Sequence, residues 1–276
     1  ISIATIPVNA KDATSFGILK SDDEANITAF TEKPSSDRLA GWESEVSDEM
    51  KAEGRVYLAS MGIYVFNKGV LSKMLEEHKG MDFGKELIPD SIGKYKVHSY
   101  EYHGYWTDIG TIDSFFEANI GLTDDIPKFN LFDKHTIFTR GRMLPPSKVS
   151  GTILDKVVLA DGCIVAAERI ERSIIGIRSR VGQGTVIKST YMMGCDFYQT
   201  LEEIAQIKEE GGILVGVGED CYIENAILDK NCSIGNNVRI KGGAHLEDGD
   251  FETHSIYDGV IIVKKRAIIP PGTEIG

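Results

Sequence analysis

The chain of 276 residues is 42% hydrophobic and 26% charged, the balance of a soluble globular protein with room for one large domain or two ordinary ones. Its 30 Lys and Arg against 42 Asp and Glu leave a net charge of -12, which opposes general binding to nucleic acid or anionic lipid, so any phosphate must be met by locally placed cations. No apolar run reaches the ~18 residues of a membrane span, no basic-then-apolar leader is present, and the expected setting is the cytoplasm. The cysteines Cys163, Cys195, Cys221 and Cys232 show no CxxC spacing and no His partners at metal-finger distances, and are expected as small core residues.

In chain order, Ile1 to Val8 already alternates like a buried strand, and no methionine precedes it. The start of the gene product is therefore expected to be missing. Phe16 to Lys20 and Ile27 to Lys33 read as a hairpin around the acidic turn Ser21-Asp22-Asp23-Glu24, and Pro34 places Glu32 and Lys33 at its mouth. An adjacent acid and base there can face a ligand or simply be solvated. Residues 35 to 56 read as a loop and an exposed helix covering nothing specific. Tyr57 to Phe66 is a nearly continuous apolar strand, expected to be covered on both faces, in which Ser60 and Gly62 permit close approach of a ligand or of another backbone. Val70 to Glu77 has helical spacing, Asp82 is placed to start a second helix, and Val97 to Tyr102 is a further strand.

The stretch from Tyr105 to Asn119 joins two kinds of architecture. Asp108 stands among Tyr105, Trp106 and Ile109; if buried there, its carboxylate must be hydrogen-bonded, paired or metal-bound, or it caps the helix that Phe115, Phe116 and Ala118 begin. Beyond a proline-containing connector, apolar residues recur every six positions: Val158, Ile164 and Ile170; Ile175, Val181, Ile187 and Met193; Val217 and Ile223; Leu228, Ile234 and Ile240; Val263, Ile269 and Ile275. That period fits neither helix nor hairpin. It fits a β-solenoid with three short faces per turn, cornered by residues such as Gly162, Gly176, Gly182, Gly184, Gly218 and Gly235. Thr200 to Glu210, ending at Gly211-Gly212, is expected as a helical excursion from the coil.

Phe-Thr-Glu-Lys-Pro at 30–34, Leu-Ala-Ser-Met-Gly-Ile-Tyr-Val-Phe at 58–66, Asp-Phe-Gly-Lys-Glu-Leu-Ile-Pro at 82–89, Trp-Thr-Asp-Ile-Gly-Thr at 106–111 and Leu-Pro-Pro-Ser-Lys at 144–148, with the hexapeptide coil, resemble the ADP-glucose pyrophosphorylases. The resemblance spans essentially the whole chain. It implies an α/β plus all-β protein: a partial Rossmann-like nucleotidyltransferase sheet at 1–125, a linker at 126–150, and a left-handed parallel β-helix at 151–276. It also implies an enzyme joining ATP and glucose 1-phosphate into ADP-glucose and pyrophosphate for glycogen or starch synthesis, with Mg²⁺. Catalysis of such an in-line displacement is mostly positioning and charge neutralisation.

On that resemblance Lys33 meets the sugar phosphate, Glu32 and Ser60 bond glucose hydroxyls, Gly17 and Gly62 let the sugar lie on backbone, and Asp108 is a metal-binding carboxylate. Arg142 and Lys265 fall where the family binds phosphorylated metabolite effectors, and the coil is expected to mediate a homotetramer. The family's Gly-Gly-x-Gly-Thr-Arg-Leu segment and its second metal-binding Asp do not occur in these 276 residues, which are therefore expected to be inactive alone. Two other readings are a non-catalytic regulatory or assembly subunit and a bifunctional acetyltransferase. The second would need a solenoid His base, for which only His245 and His254 are placed.

Overall fold

Alternating apolar residues make Ser2–Val8 a strand (β1), followed by β2 (Gly17–Ser21), β3 (Ile27–Glu32), β4 (Tyr57–Val65) and β5 (His98–Glu101). The computed structural model describes residues 1–77, 80, 82–134 and 137–276, and the chain divides into two compact units, Ile1–Gly104 and Tyr105–Gly276. The five strands form one sheet ordered β3-β2-β4-β1-β5, in which β1 is parallel to β5 and the other neighbours are antiparallel. A hairpin and a returning strand need no crossover helix, which explains why so much of the sheet is antiparallel.

Short helices dress this sheet: α1 (Ala10–Ala13), α2 (Asp48–Ala52), α3 (Lys68–Glu77) and α4 (Ile88–Ser91), with a wide π-type turn at Phe83–Leu87 leading into α4. As expected, Asp82 starts that turn, its carboxylate accepting from the Lys85 N–H at 2.9 Å. Ile3, Leu19, Ile27, Ile88 and Val97 form a buried cluster. Two expectations change. The strand β4 is covered only in its first half, and beyond Ser60 the side chains of Ile63 and Val65 are 53% and 67% exposed. The polar segment at 35–56 is not idle either, because Leu39 and Val46 tuck in and are buried.

In the second unit, helix α5 (Ile112–Ile120) begins at Thr111, whose hydroxyl accepts from the Ser114 N–H while the Ser114 hydroxyl receives the Thr111 N–H. Phe116 and Ile120 pack with Ile227 and Val260 of the coil. The coil stacks parallel strands so that each inward side chain lies on its equivalent in the next turn. One column runs Leu154, Ile170, Ile187, Ile223, Ile240, Ile275; a second Val149, Val165, Val181, Val217, Ile234, Ile269; a third Leu159, Ile175, Met192, Leu228, Val263.

The six-residue reading therefore holds with local corrections. Leu159, Val165 and Met192 occupy the columns, where Val158, Ile164 and Met193 were expected, and Ile164 faces outward at 38% exposure. Column spacing shortens to five from Leu154 to Leu159, Ile170 to Ile175, Ile187 to Met192 and Ile223 to Leu228, and each of these segments bends at one residue of positive φ, Lys156, Arg172, Ser189 and Asn225, at 54°, 42°, 38° and 52°. Gly162 and Gly184 do use positive φ, whereas Gly182 is required for another reason: a Cβ there would lie 2.5 Å from the Gly218 carbonyl of the next coil. The expected excursion contains α6 (Leu201–Glu209), capped by Thr200 and Glu203 and followed by Gly211 at φ 70°.

All four cysteines are free and buried. Burial pushes their thiols up, Cys232 to about 12, so they behave as small core side chains.

Candidate functional site

Strand pairing brings four of the sequence-selected residues together in the first unit. Gly17 pairs with Glu32, and continuing the β2–β4 register one step beyond the Ile18–Ala59 pair sets Gly17 beside Ser60. Residues opposite one another in a sheet share a face, so Glu32, Gly17 and Ser60 form a row across β3, β2 and β4. Lys33 follows directly, its N–H donating to the Phe16 carbonyl at 3.0 Å and its backbone held at φ 45°. That bond extends the hairpin past the formal end of β3 and sets where the Lys33 side chain leaves the strand.

The two charged side chains at this mouth are available. Glu32 is half-buried and Lys33 exposed, and among the described residues neither makes a side-chain hydrogen bond or ion pair. Such an acid beside such a base, in a chain of net charge -12, can offer an acceptor to hydroxyls and a cation to a phosphate. Ser60 is buried, and its hydroxyl oxygen accepts from the Gly62 N–H at 3.3 Å and lies 3.4 Å from the Tyr64 hydroxyl. Gly62 sits at φ 71°, where its missing Cβ matters for conformation.

Sequence reasoning missed Tyr64 and its support. The Phe83 ring stacks on Tyr64 with centroids 6.0 Å apart and 17° between planes, and the tyrosine hydroxyl lies 3.4 Å from that of Ser60. Phe66 joins the same group at 5.8 Å from Phe83. The available signal was the aromatic alternation Tyr64-Val65-Phe66 at the uncovered end of β4.

Asp108 lies in the second unit and is exposed, as are Tyr105 and Ile109 around it. The burial cost anticipated for it does not arise, and Thr111 rather than Asp108 caps the following helix. Its carboxylate makes no hydrogen bond or ion pair among the described residues, and one oxygen occupies the space beside Gly110, 2.8 Å from where a Cβ would stand. A free exposed carboxylate is a suitable single oxygen ligand for Mg²⁺, which commonly takes one or two protein carboxylates and completes its shell with water and substrate phosphates. Among the described residues no group of three or more His, Cys, Asp or Glu surrounds it.

The remaining two candidates are in the second unit and are not joined to one another. Arg142 is exposed in the linker, where its guanidinium donates to the Arg140 carbonyl at 3.4 Å. Lys265 is exposed at a coil corner, while its neighbour Lys264 is engaged, 2.8 Å from Asp250. A lysine that sequence reasoning passed over, Lys230, stands one coil earlier with its Nζ 2.7 Å from Asp196. Lys230 first, then the Asn231 amide, with a smaller contribution from the Lys265 charge, hold the Asp196 carboxyl down at about 2. His254 belongs to an antiparallel excursion and stacks on Phe251 at 4.6 Å; burial and then Lys264 lower its pKa.

Comparison with known proteins matches residues 1–125 to the nucleotidyl transferase family and residues 142–274 to the GLGC left-handed parallel β-helix domain. The whole chain is 38% identical, over 286 aligned residues, to the chloroplastic/amyloplastic glucose-1-phosphate adenylyltransferase small subunit of Triticum aestivum. It spans 60% of the length of that relative. With a nucleotidyl transferase segment, a left-handed coil of this type and this relative, the chain is similar along its whole length to the glucose-1-phosphate adenylyltransferases, the ADP-glucose pyrophosphorylases.

Proposed function

We propose that the row formed by Glu32, Gly17 and Ser60, with Lys33 at its end, takes glucose 1-phosphate, and that the protein transfers an adenylyl group from ATP to it, giving ADP-glucose and pyrophosphate. The observation that carries this reading is the pair at the mouth of the hairpin, a half-buried Glu32 beside an exposed Lys33, whose side chains have no hydrogen-bond or ion-pair partner among the described residues. Glu32 accepts from sugar hydroxyls, Ser60 orients the ring, and Lys33 neutralises the phosphate that attacks the nucleotide. Asp108 would hold Mg²⁺, which when bound offsets charge on the reacting phosphates. Holding and orienting the sugar phosphate is the work of Glu32, Ser60 and Lys33 themselves.

These 276 residues alone are expected to bind the sugar phosphate but to be catalytically inactive, since the Gly-rich segment that cradles nucleotide phosphates in the family is not among them. We also assign the coil to self-association into a tetramer. Apolar side chains left uncovered along the linker and first turn, among them Phe132, Phe138, Ile153 and Leu154, support it. Phosphorylated effectors are assigned to the corner carrying Lys230 and Lys265, with Arg142 contributing from the linker.

The test is displacement: labelled glucose 1-phosphate bound to the chain should be competed away by ADP-glucose, and binding indifferent to ADP-glucose would contradict the reading. Pyrophosphate release measured with ATP and Mg²⁺ tests the second part. Turnover near that of an intact relative would sink the expectation of inactivity.

A further inference from the structure

Gly84 has no backbone reason to be glycine. It lies in the helical turn Phe83–Leu87 with φ outside the left-handed region, and alanine would form that turn more readily. What occupies the missing side chain's space is a carboxylate. A Cβ at Gly84 would stand 3.1 Å from Oε2 of Glu32, with the next atoms, Asp82 Oδ1 and Glu32 Cδ, both at 3.6 Å. From the other side, a Cβ at Gly17 would stand 2.8 Å from the same Glu32 oxygen and 2.5 Å from the Phe30 ring.

One carboxylate oxygen is thus flanked by two glycines, one on β2 and one in a turn far along the chain. Phe30 closes the remaining approach at Gly17, and Glu32 makes no side-chain hydrogen bond or ion pair among the described residues. A carboxylate located by shape, with its lone pairs uncommitted, can give all of them to a ligand, and its placement then depends on how little stands next to it. We infer that Gly84 is a positioning residue which, together with Gly17, seats the Glu32 carboxylate for recognition of sugar hydroxyls. This rests on the proposed role of Glu32.

Gly84→Ala is the cleaner probe, because at Gly17 a Cβ would also strike the Phe30 ring. The expected result has opposite signs in two measurements. The melting temperature holds or rises, since alanine favours the turn, while affinity for glucose 1-phosphate falls by about tenfold as the carboxylate is pushed aside. In a Glu32→Ala background the same Gly84→Ala change should move affinity by under about twofold, because nothing remains to displace. Equal weakening in both backgrounds, or undiminished affinity with Glu32 present, would overturn the proposal.

A ligand-free readout separates this from the reading it rests on. The side-chain carboxyl ¹³C resonance of Glu32, identified by its loss in Glu32→Ala, should shift on Gly84→Ala, and an unmoved resonance overturns the seat. If the wild-type chain took up no glucose 1-phosphate, the sugar reading would fail while the resonance still decided for or against the seat.

Discussion

The coil and the five-stranded sheet bury apolar side chains in different ways, and the difference bears on where the proposed sugar-phosphate site lies. In the coil each inward residue rests on its equivalent above and below, as Ile187 does between Ile170 and Ile223, so one short pattern repeats and every element is secured by its neighbours. The sheet has no such repetition. Its buried cluster is centred on Ile3, Leu19 and Ile88, while the end of β4 beyond Ser60 stays uncovered, with Glu32, Lys33 and Ser60 gathered at that margin. A regular interior gives stability without leaving a place for ligand, and an incomplete sheet margin does the reverse.

If that contrast is right, the largest effect on stability should come from the coil and should spare binding. Ile223→Ala, at a fully buried column position, is expected to cost about 3 to 4 kcal/mol in chemical denaturation while leaving glucose 1-phosphate affinity unchanged. A parallel loss of affinity would mean that the two regions are not independent. The converse change is Lys33→Ala. Its exposed side chain supports no packing, so the melting temperature should hold while affinity for glucose 1-phosphate falls by about 10- to 100-fold, the worth of a charge-assisted contact to phosphate.

A smaller effect tests whether the α6 excursion is held locally. Thr200→Ala removes the acceptor for the Glu203 N–H and should cost about 1 kcal/mol, read as faster amide exchange over Leu201–Glu209 with the coil strands unaffected. The smallest concerns Asp196. Its folded pKa of about 2 lies below the ordinary carboxylate value, so the stability it contributes is present above roughly pH 4 and is lost as pH falls toward 2. Asp196→Asn should therefore flatten the acid limb of the stability curve in that window, slightly, because the pair is solvent-screened. An unchanged acid limb would show that the Lys230 contact adds nothing.

Much of the coil was legible because the repeated column is itself the sequence pattern. What was not legible was local register: Ile164 and Val165 are adjacent and both apolar, and only the stacking of Val165 with Val149 and Val181 in neighbouring coils shows which one points inward. The hairpin mouth was legible because Glu32, Lys33 and Pro34 are contiguous. The contact of Lys230 with Asp196, the stacking of Phe83 on Tyr64 and the closeness of Gly84 to Glu32 join residues distant in sequence, and no period or motif announces them. Asp108 shows the opposite error: apolar neighbours suggested burial, yet Tyr105 and Ile109 are themselves exposed, so no interior exists there to penalise its charge.

The most direct test of the central claim is calorimetric titration of glucose 1-phosphate into the wild-type chain and into Lys33→Ala, with the melting temperature of each recorded beside it. The account predicts saturable one-site binding that is lost in the variant at an unchanged melting temperature. No saturable binding to the wild-type chain, or equal binding to both, would contradict it.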